Sequence, residues 1–362
     1  MTVFNVPDPI PTITAALAMA GPNDTIRIAP GTFPEALVIG AGKDGIRIIG
    51  SGVNKTILEG NNALNTAFDI TGSQLVTIEC LTVQNYTNDG IEINTNSNIL
   101  KNLLVTGNGA EGVHITSGGT HNLIMDVESS GNNNDGIDID TNFNYCINCI
   151  VKDNGFDGFS ITADCNFIYN NTAQGNGDGI FTTSTATDNL FINNCLISNT
   201  DSGLDAEGDG NLIYCNQAIG NTNFGFEIEE NNLVLGNKAA KNGTDGIMAA
   251  DLSSGTDNRI LKNKIIQNMM NGINITGIDS IIDNNCVVDN TLAGILLSAT
   301  SDSNGVRSNC LEGNNPDIQD DGGPANVIDE NICETSVPDG LCENCGFNSI
   351  KTKGRFFPPH FK

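Results

Sequence analysis

The sequence predicts an all-β fold: a single-stranded right-handed parallel β-helix of about 12–13 coils with an N-terminal capping helix. Three observations carry that prediction. A Gly-apolar-x-apolar motif returns at Gly45, Gly90, Gly112, Gly136, Gly158, Gly179, Gly203, Gly225, Gly246, Gly272 and Gly294, 249 residues in eleven steps of mean length close to 22.6. One coil departs from it, where Ala67-Phe68-Asp69-Ile70 stands midway between Gly45 and Gly90. A column of asparagines precedes the glycines by three to five residues, from Asn85 through Asn108, Asn132, Asn154 and Asn176 to Asn314. A third column has the form Asn-x-apolar-x-Asn or Asn-x-apolar-x-x-Asn, as at Asn98 and Asn102, Asn166 and Asn170, and Asn211 and Asn216. Three columns per period imply three short strands per coil, each alternating inward and outward with a period of two.

Each element then has a local reason. Apolar segments of 3–5 residues are too short for helices. Asn tolerates the left-handed backbone of a sharp turn, and amides stacked in successive coils can bond to one another in a ladder. Gly beside it lets the chain turn tightly into the next strand. Inward Ile, Leu, Val and Phe stack on like residues about 4.8 Å away in the neighbouring coil. A solenoid must protect its ends, and the amphipathic segment 10–20 is suited to cap the first coil. The chain therefore divides into an N-terminal segment with the capping helix (1–20), the β-helix (21–332) and a Cys-containing C-terminal tail (333–362).

That opening, a short helix followed by "GPNDTIRIAPGTF" and then "KDGIRIIGSG", resembles the start of the pectin-lyase-like superfamily. The later "NDGIEI", "NNDGIDI" and "GTDGIMA" coils are similar to repeats of NosD-like and other carbohydrate-binding and sugar-hydrolase β-helix proteins. The resemblance covers roughly residues 10 to 330 and speaks to fold, because one fold hosts lyases, hydrolases, epimerases, adhesins and structural proteins. It implies a polysaccharide or surface-layer partner and a surface or extracellular location.

Composition narrows the partners further. A formal charge of −27 argues against nucleic acid, whose binders need a basic stripe, and disfavours an anionic membrane surface. It would repel polyanions and attract divalent cations. The N-terminus shows neither a basic n-region nor a long apolar stretch, so no signal peptide and no membrane insertion are expected. Cytoplasmic synthesis followed by deposition on a cell or spore surface accommodates both readings.

In Gly-apolar-x-apolar-x the two x positions face outward. The first x column reads Arg47, Asp69, Glu92, His114, Asp138, Ser160, Phe181, Asp205 and Glu227, and the second contains Asp140, Glu207 and Glu229. Two acidic clusters result: Glu92, His114, Asp138 and Asp140 over three coils, and Asp205, Glu207, Glu227 and Glu229 over two. Side chains stacked about 5 Å apart, or about 7 Å apart along one strand, bracket the carboxyl pairs of glycosidases. They also suit an oxygen-ligated Ca²⁺, with Asp205, Glu207, Glu227 and Glu229 as its ligands. A plain solvated acidic face is the third reading, given 43 acidic residues. His114, Asp138 and Asp140 are the candidate catalytic groups, and Glu92, Asp205 and Glu227 the candidate binding groups. No cofactor is required, and Ca²⁺ is the one ion the pattern suggests.

The uronate lyases of the resembled superfamily use Lys or Arg, and the one basic residue in the two x columns is Arg47. The "GHG" and "RIK" runs of polygalacturonases do not occur, nor the Tyr-Gly-Phe-Asp-Pro-His run of alginate epimerases. Whether the chain is an enzyme stays open. One reading is a non-catalytic structural or carbohydrate-binding surface protein. The other is a polysaccharide hydrolase, less so a uronate lyase or epimerase, using Asp138 with Asp140 or Asp205 with Glu227 as acid and base.

The cysteines within the coils, Cys80, Cys146, Cys149, Cys165, Cys195, Cys215, Cys286 and Cys310, read as small apolar thiols stacked in the core. Pro338-Asp339-Gly340 is a turn that could bring Cys333 to Cys342, as a disulfide or as free thiols. The last twelve residues, basic and aromatic, read as an extension or docking segment.

Overall fold

The computed structural model describes residues 1–250 and 257–343, and in them each coil lays three short strands on those of the coil before. Pairing is parallel and in register, for example Tyr145↔Phe167↔Leu190 and Val113↔Ile137↔Phe159. One face is a 14-stranded sheet running from Leu37–Val38 to Ser336–Val337, and a 25-stranded sheet forms the other two faces. The solenoid is therefore longer than the glycine motif counts. Ala36, Asp317 and Thr335 stand where its first and last coils would carry the glycine.

Gly45 does not belong to the column. Strand Arg47–Ile49 pairs with Thr25–Ile28 and Thr77–Gln84 in the larger sheet, so Arg47 lies off the acidic face and bonds Glu79 at 2.6 Å. The true column, Gly90 to Gly294, has no left-handed φ, so conformational freedom is not its reason. Clearance is. A Cβ on Gly179 would stand 2.5 Å from the Gly203 carbonyl oxygen and 2.8 Å from Asn199 Nδ2.

Three asparagine ladders hold the corners. The first runs from Asn108 to Asn314, each amide donating to the next, as Asn199 Nδ2 to Asn221 Oδ1 at 3.0 Å. The second runs from Asn98 to Asn258, and the third from Asn171 to Asn331. The ladder residues do not take the left-handed conformation expected of them. The residue just before does, as at Asp153 (φ 54°) and Ser198 (φ 52°). Asn102 and Asn170 are such turn residues, and Asn85 (φ 58°) gives way to Tyr86, whose N–H donates to Asn108 Oδ1. A buried amide can serve the ladder because its neighbour absorbs the turn.

Inside, stacks of Ile, Leu, Val and Phe are fully buried, Phe68, Phe159 and Phe226 among them. The helix Ile13–Met19 covers one end with Ile13, Ala16 and Leu17; Thr12 accepts from Ala15 N–H, and Glu35 from the N–H groups of Ile13 and Thr14. A strand ahead of it, Val3–Val6, extends the sheet by pairing with Thr25–Ile28.

Of the coil cysteines, Cys146 and Cys149 are buried, and burial pushes the Cys149 thiol up to about 12. The core reading fails for the others. Cys195, Cys286 and Cys310 hold outward strand positions, and Cys80, Cys165 and Cys215 sit in left-handed turns. Cys333 and Cys342 form a disulfide. Cys345 and the basic aromatic end lie outside the described residues.

Candidate functional site

The 14-stranded sheet puts every second side chain outward, and on it Glu92, His114 and Asp138 stack in register. Their neighbours on the strand, Ile91, Ile93, Val113, Ile115, Ile137 and Ile139, are fully buried, which pins the register. His114 is held on three sides: Nδ1 lies 3.4 Å from Asp89 Oδ2, and Nε2 lies 3.2 Å from Asp140 and 3.5 Å from Asp138. Glu92 stands apart from the ring, its Oε1 accepting from Asn94 Nδ2 at 2.9 Å.

The second set is only partly assembled. Asp205 and Glu227 are register partners, and Glu207 and Glu229 follow their strands. Among the described residues, the sets of three acidic or His groups with ligand atoms within 4.8 Å of one another all lie around His114. They are Asp89, Glu111 and His114; His114, Asp138 and Asp140; and Glu111, Asp135 and Asp138.

Asp89, Glu111 and Asp135 were not among the residues expected to take part. They belong to a further column, continued by Asp157 and Asp178, in which an acid immediately precedes the repeat glycine in five successive coils. That position points into the corner of the coil. There Asp135, Asp157 and Asp178 accept the backbone N–H of the next coil at 2.6–2.7 Å. The sequence signal is an acid-Gly pair in five consecutive periods, at a position outside the alternating strand residues.

Burial and mutual repulsion set the charges. Burial lowers the His114 pKa, yet the hydrogen bonds it donates to Asp89 and Asp140 and the charges of Asp138 and Asp89 more than offset it, raising it to about 10. Burial, then Asp140, pushes Asp138 up to about 6, with His114 pulling the other way. Burial, then neighbouring carboxylates, lifts Asp135 and Asp178 to about 7 and Asp205 to about 9. Asp138 Oδ1 is buried and accepts no hydrogen bond from the protein. At the end of this face a cavity of about 290 Å³ is lined by Asp44, Ser73, Gln74, Asn94 and Asn96.

These directions make stability depend on pH in an unusual sense. A carboxyl group whose folded pKa is raised contributes stability that is full below the unfolded value and is lost as pH rises through the folded one. His114, also raised, acts in the same direction between its unfolded value and about 10. The melting temperature is therefore expected to fall by roughly 10 °C between pH 5 and pH 9. Thermal melts followed by circular dichroism check this, and a flat or rising profile would contradict the placement of these groups.

Fold and site together define a right-handed parallel β-helix with one carboxylate-rich outer face. The family model described as the right handed beta helix region matches residues 44–196, 123–254 and 187–311, and the chain belongs to that family. No curated protein matches the sequence. Among solved structures, the A-module of a mannuronan C-5 epimerase from Azotobacter vinelandii is similar at 15% identity and a TM-score of 0.59, over 89% of this chain and 92% of that one. A pectate lyase aligns at 17% identity and 0.55, over 75% and 77%. A mutant tailspike protein of E. coli bacteriophage HK620, solved in complex with a hexasaccharide, aligns at 12% identity and 0.57, over 84% and 68%. At such identities these likenesses establish the fold. Among the described residues, no helix is long and apolar enough to cross a membrane.

Proposed function

We propose that this protein is a non-catalytic, polysaccharide-binding β-helix of a cell or spore surface layer, holding a glycan along its acidic face. The carrying observation is that eight consecutive coils, from Asp69 to Glu227, each present at least one half-buried or buried carboxyl group to that face or its edge. At about 4.8 Å per coil, such a row offers regularly spaced acceptors to the hydroxyls of a linear chain. The net charge of −27 selects a neutral or amino-sugar polymer over a polyuronate. Similarity to a tailspike solved with a hexasaccharide supports a polysaccharide as the partner class.

His114 favours binding over catalysis. Three carboxylates surround the ring and raise its pKa to about 10, which suits a counter-ion to Asp89, Asp138 and Asp140 better than a base near neutral pH. One observation favours the hydrolase reading: Asp138, at about 6, lies two residues from Asp140 on the same face, the pairing an acid and a base would need.

A panel of neutral, amino-sugar and uronate polymers separates the two. Co-sedimentation with a neutral or amino-sugar polymer, weakened at least about tenfold by Glu227→Gln and without release of reducing ends, is expected. Depolymerisation abolished by Asp138→Asn would overturn the binding reading, and so would failure to bind every polymer. Binding is expected to survive EDTA. A loss restored by CaCl₂ would instead give Asp205, Glu207, Glu227 and Glu229 a Ca²⁺ to hold.

A further inference from the structure

The coil has a second face whose composition the acidic face does not explain. Six successive strands of the larger sheet, from the start of Leu123–Ser130 to Leu233–Leu235, stack in register with two outward positions each. All twelve outward positions are Leu, Ile, Met, Phe or Tyr, and none is charged. Charge returns just beyond both ends, with Lys101 on one side and Arg259 on the other. Tyr145, Tyr169, Leu190 and Tyr214 each expose about two-fifths of their surface (38–41%). A solvent-facing sheet ordinarily alternates apolar-in with polar-out, so this face departs from the rule along six coils.

We propose that this stripe is an interface between two copies of this chain. Its area is of the right size: an aromatic side chain buries 150–250 Å² in full, so twelve partly exposed positions offer roughly 700 Å². A standard interface takes about 800 Å² from each partner, whereas the largest apolar patch of a lone monomer is usually about 300–600 Å². Charge also selects the face. Two chains of −27 repel one another, and this uncharged stripe lets apolar surfaces meet with the carboxyl row of each copy on another face. Period selects the partner. Rows of side chains repeating about every 4.8 Å interdigitate with a surface of the same repeat, which a second copy supplies. Sheets so packed lie about 10 Å apart, within reach of the Phe167 and Tyr169 rings, stacked with centroids at 5.6 Å in the centre of the stripe. A two-fold contact is self-complementary and closes, which ends the assembly at a dimer.

Sedimentation equilibrium of the full chain tests this. Wild type is expected to dimerise in the micromolar range, and more tightly as NaCl screens the net charge. The double variant Tyr169→Lys/Ile192→Lys puts two cations at the centre while lowering the net negative charge. Its dimer is expected to weaken by at least about 100-fold with an unchanged circular dichroism spectrum, because both positions point outward. Gln174→Lys, on the adjoining face, is expected to leave the dimer intact. A wild type monomeric at about 100 µM in high salt overturns the proposal, as does a double variant that dimerises like wild type.

Discussion

Replacing Asn221 by leucine is expected to destabilise the protein by roughly 5 kcal/mol. Asn221 Oδ1 accepts from both the backbone N–H and the Nδ2 of Asn199 at 3.0 Å, and its own Nδ2 donates to Asn242 Oδ1 and to the Leu196 carbonyl. Leucine of similar volume removes all four bonds at once. It leaves the Asn199 N–H and the Leu196 carbonyl buried without those partners, at about 1–3 kcal/mol for each. Urea unfolding measures the loss. Asn193→Gly provides the contrast: Asn193 is exposed in a left-handed turn (φ 57°), a conformation glycine adopts freely, so its change should stay within about 1 kcal/mol. A loss below about 1 kcal/mol at Asn221 would show that the ladder is not what holds the coils.

Second in size is His114→Gln. The imidazolium is the one positive charge among Asp89, Asp138 and Asp140, and its side chain is 22% exposed. Removing one partner of a buried ion pair costs about 3–5 kcal/mol, and the partial exposure here brings the expectation to about 2–3 kcal/mol. The pH dependence identifies the cause. Because the folded pKa of His114 is raised, its stabilisation is fully present below the unfolded value near 6.5 and disappears as pH climbs through about 10. The stability gap between wild type and variant should thus be widest near pH 6 and close toward pH 10. A divalent cation then becomes the available counter-charge, so CaCl₂ is expected to raise the melting temperature of the variant more than that of wild type. A gap constant with pH would mean that His114 acts by packing and not by charge.

How much of this was legible follows from periodicity. Inward and outward roles from Gly90 to Leu297 could be read directly, because a half-buried strand alternates and a one-residue slip would bury the acids. The stacking of His114 on Asp138 followed from counting. Its bond to Asp89 did not, because Asp89 lies in the corner ahead of the strand Ile91–Ile93, where direction depends on the turn and not on alternation. For the same reason Asn85 and Asn170 are turn residues one position ahead of the ladder, and Gly45 precedes a strand of a different sheet from that of the glycine column. Thiols such as Cys195 and Cys286 face outward against the core expectation, because Cys is small and apolar enough for either side.

What the amino-acid order alone determined is the repeat, and with it the β-helix, the stacked asparagines and a face rich in carboxyl groups. The repeat and the asparagines recur coil after coil, and the carboxyl groups over eight consecutive coils, so each coil repeats the evidence of the one before. What the tertiary structure decided is the charge state of that face and which acids act together. Proton affinity depends on burial and on distances across coils, and residues 25 positions apart, such as Asp89 and His114, become neighbours only when the chain closes its turn.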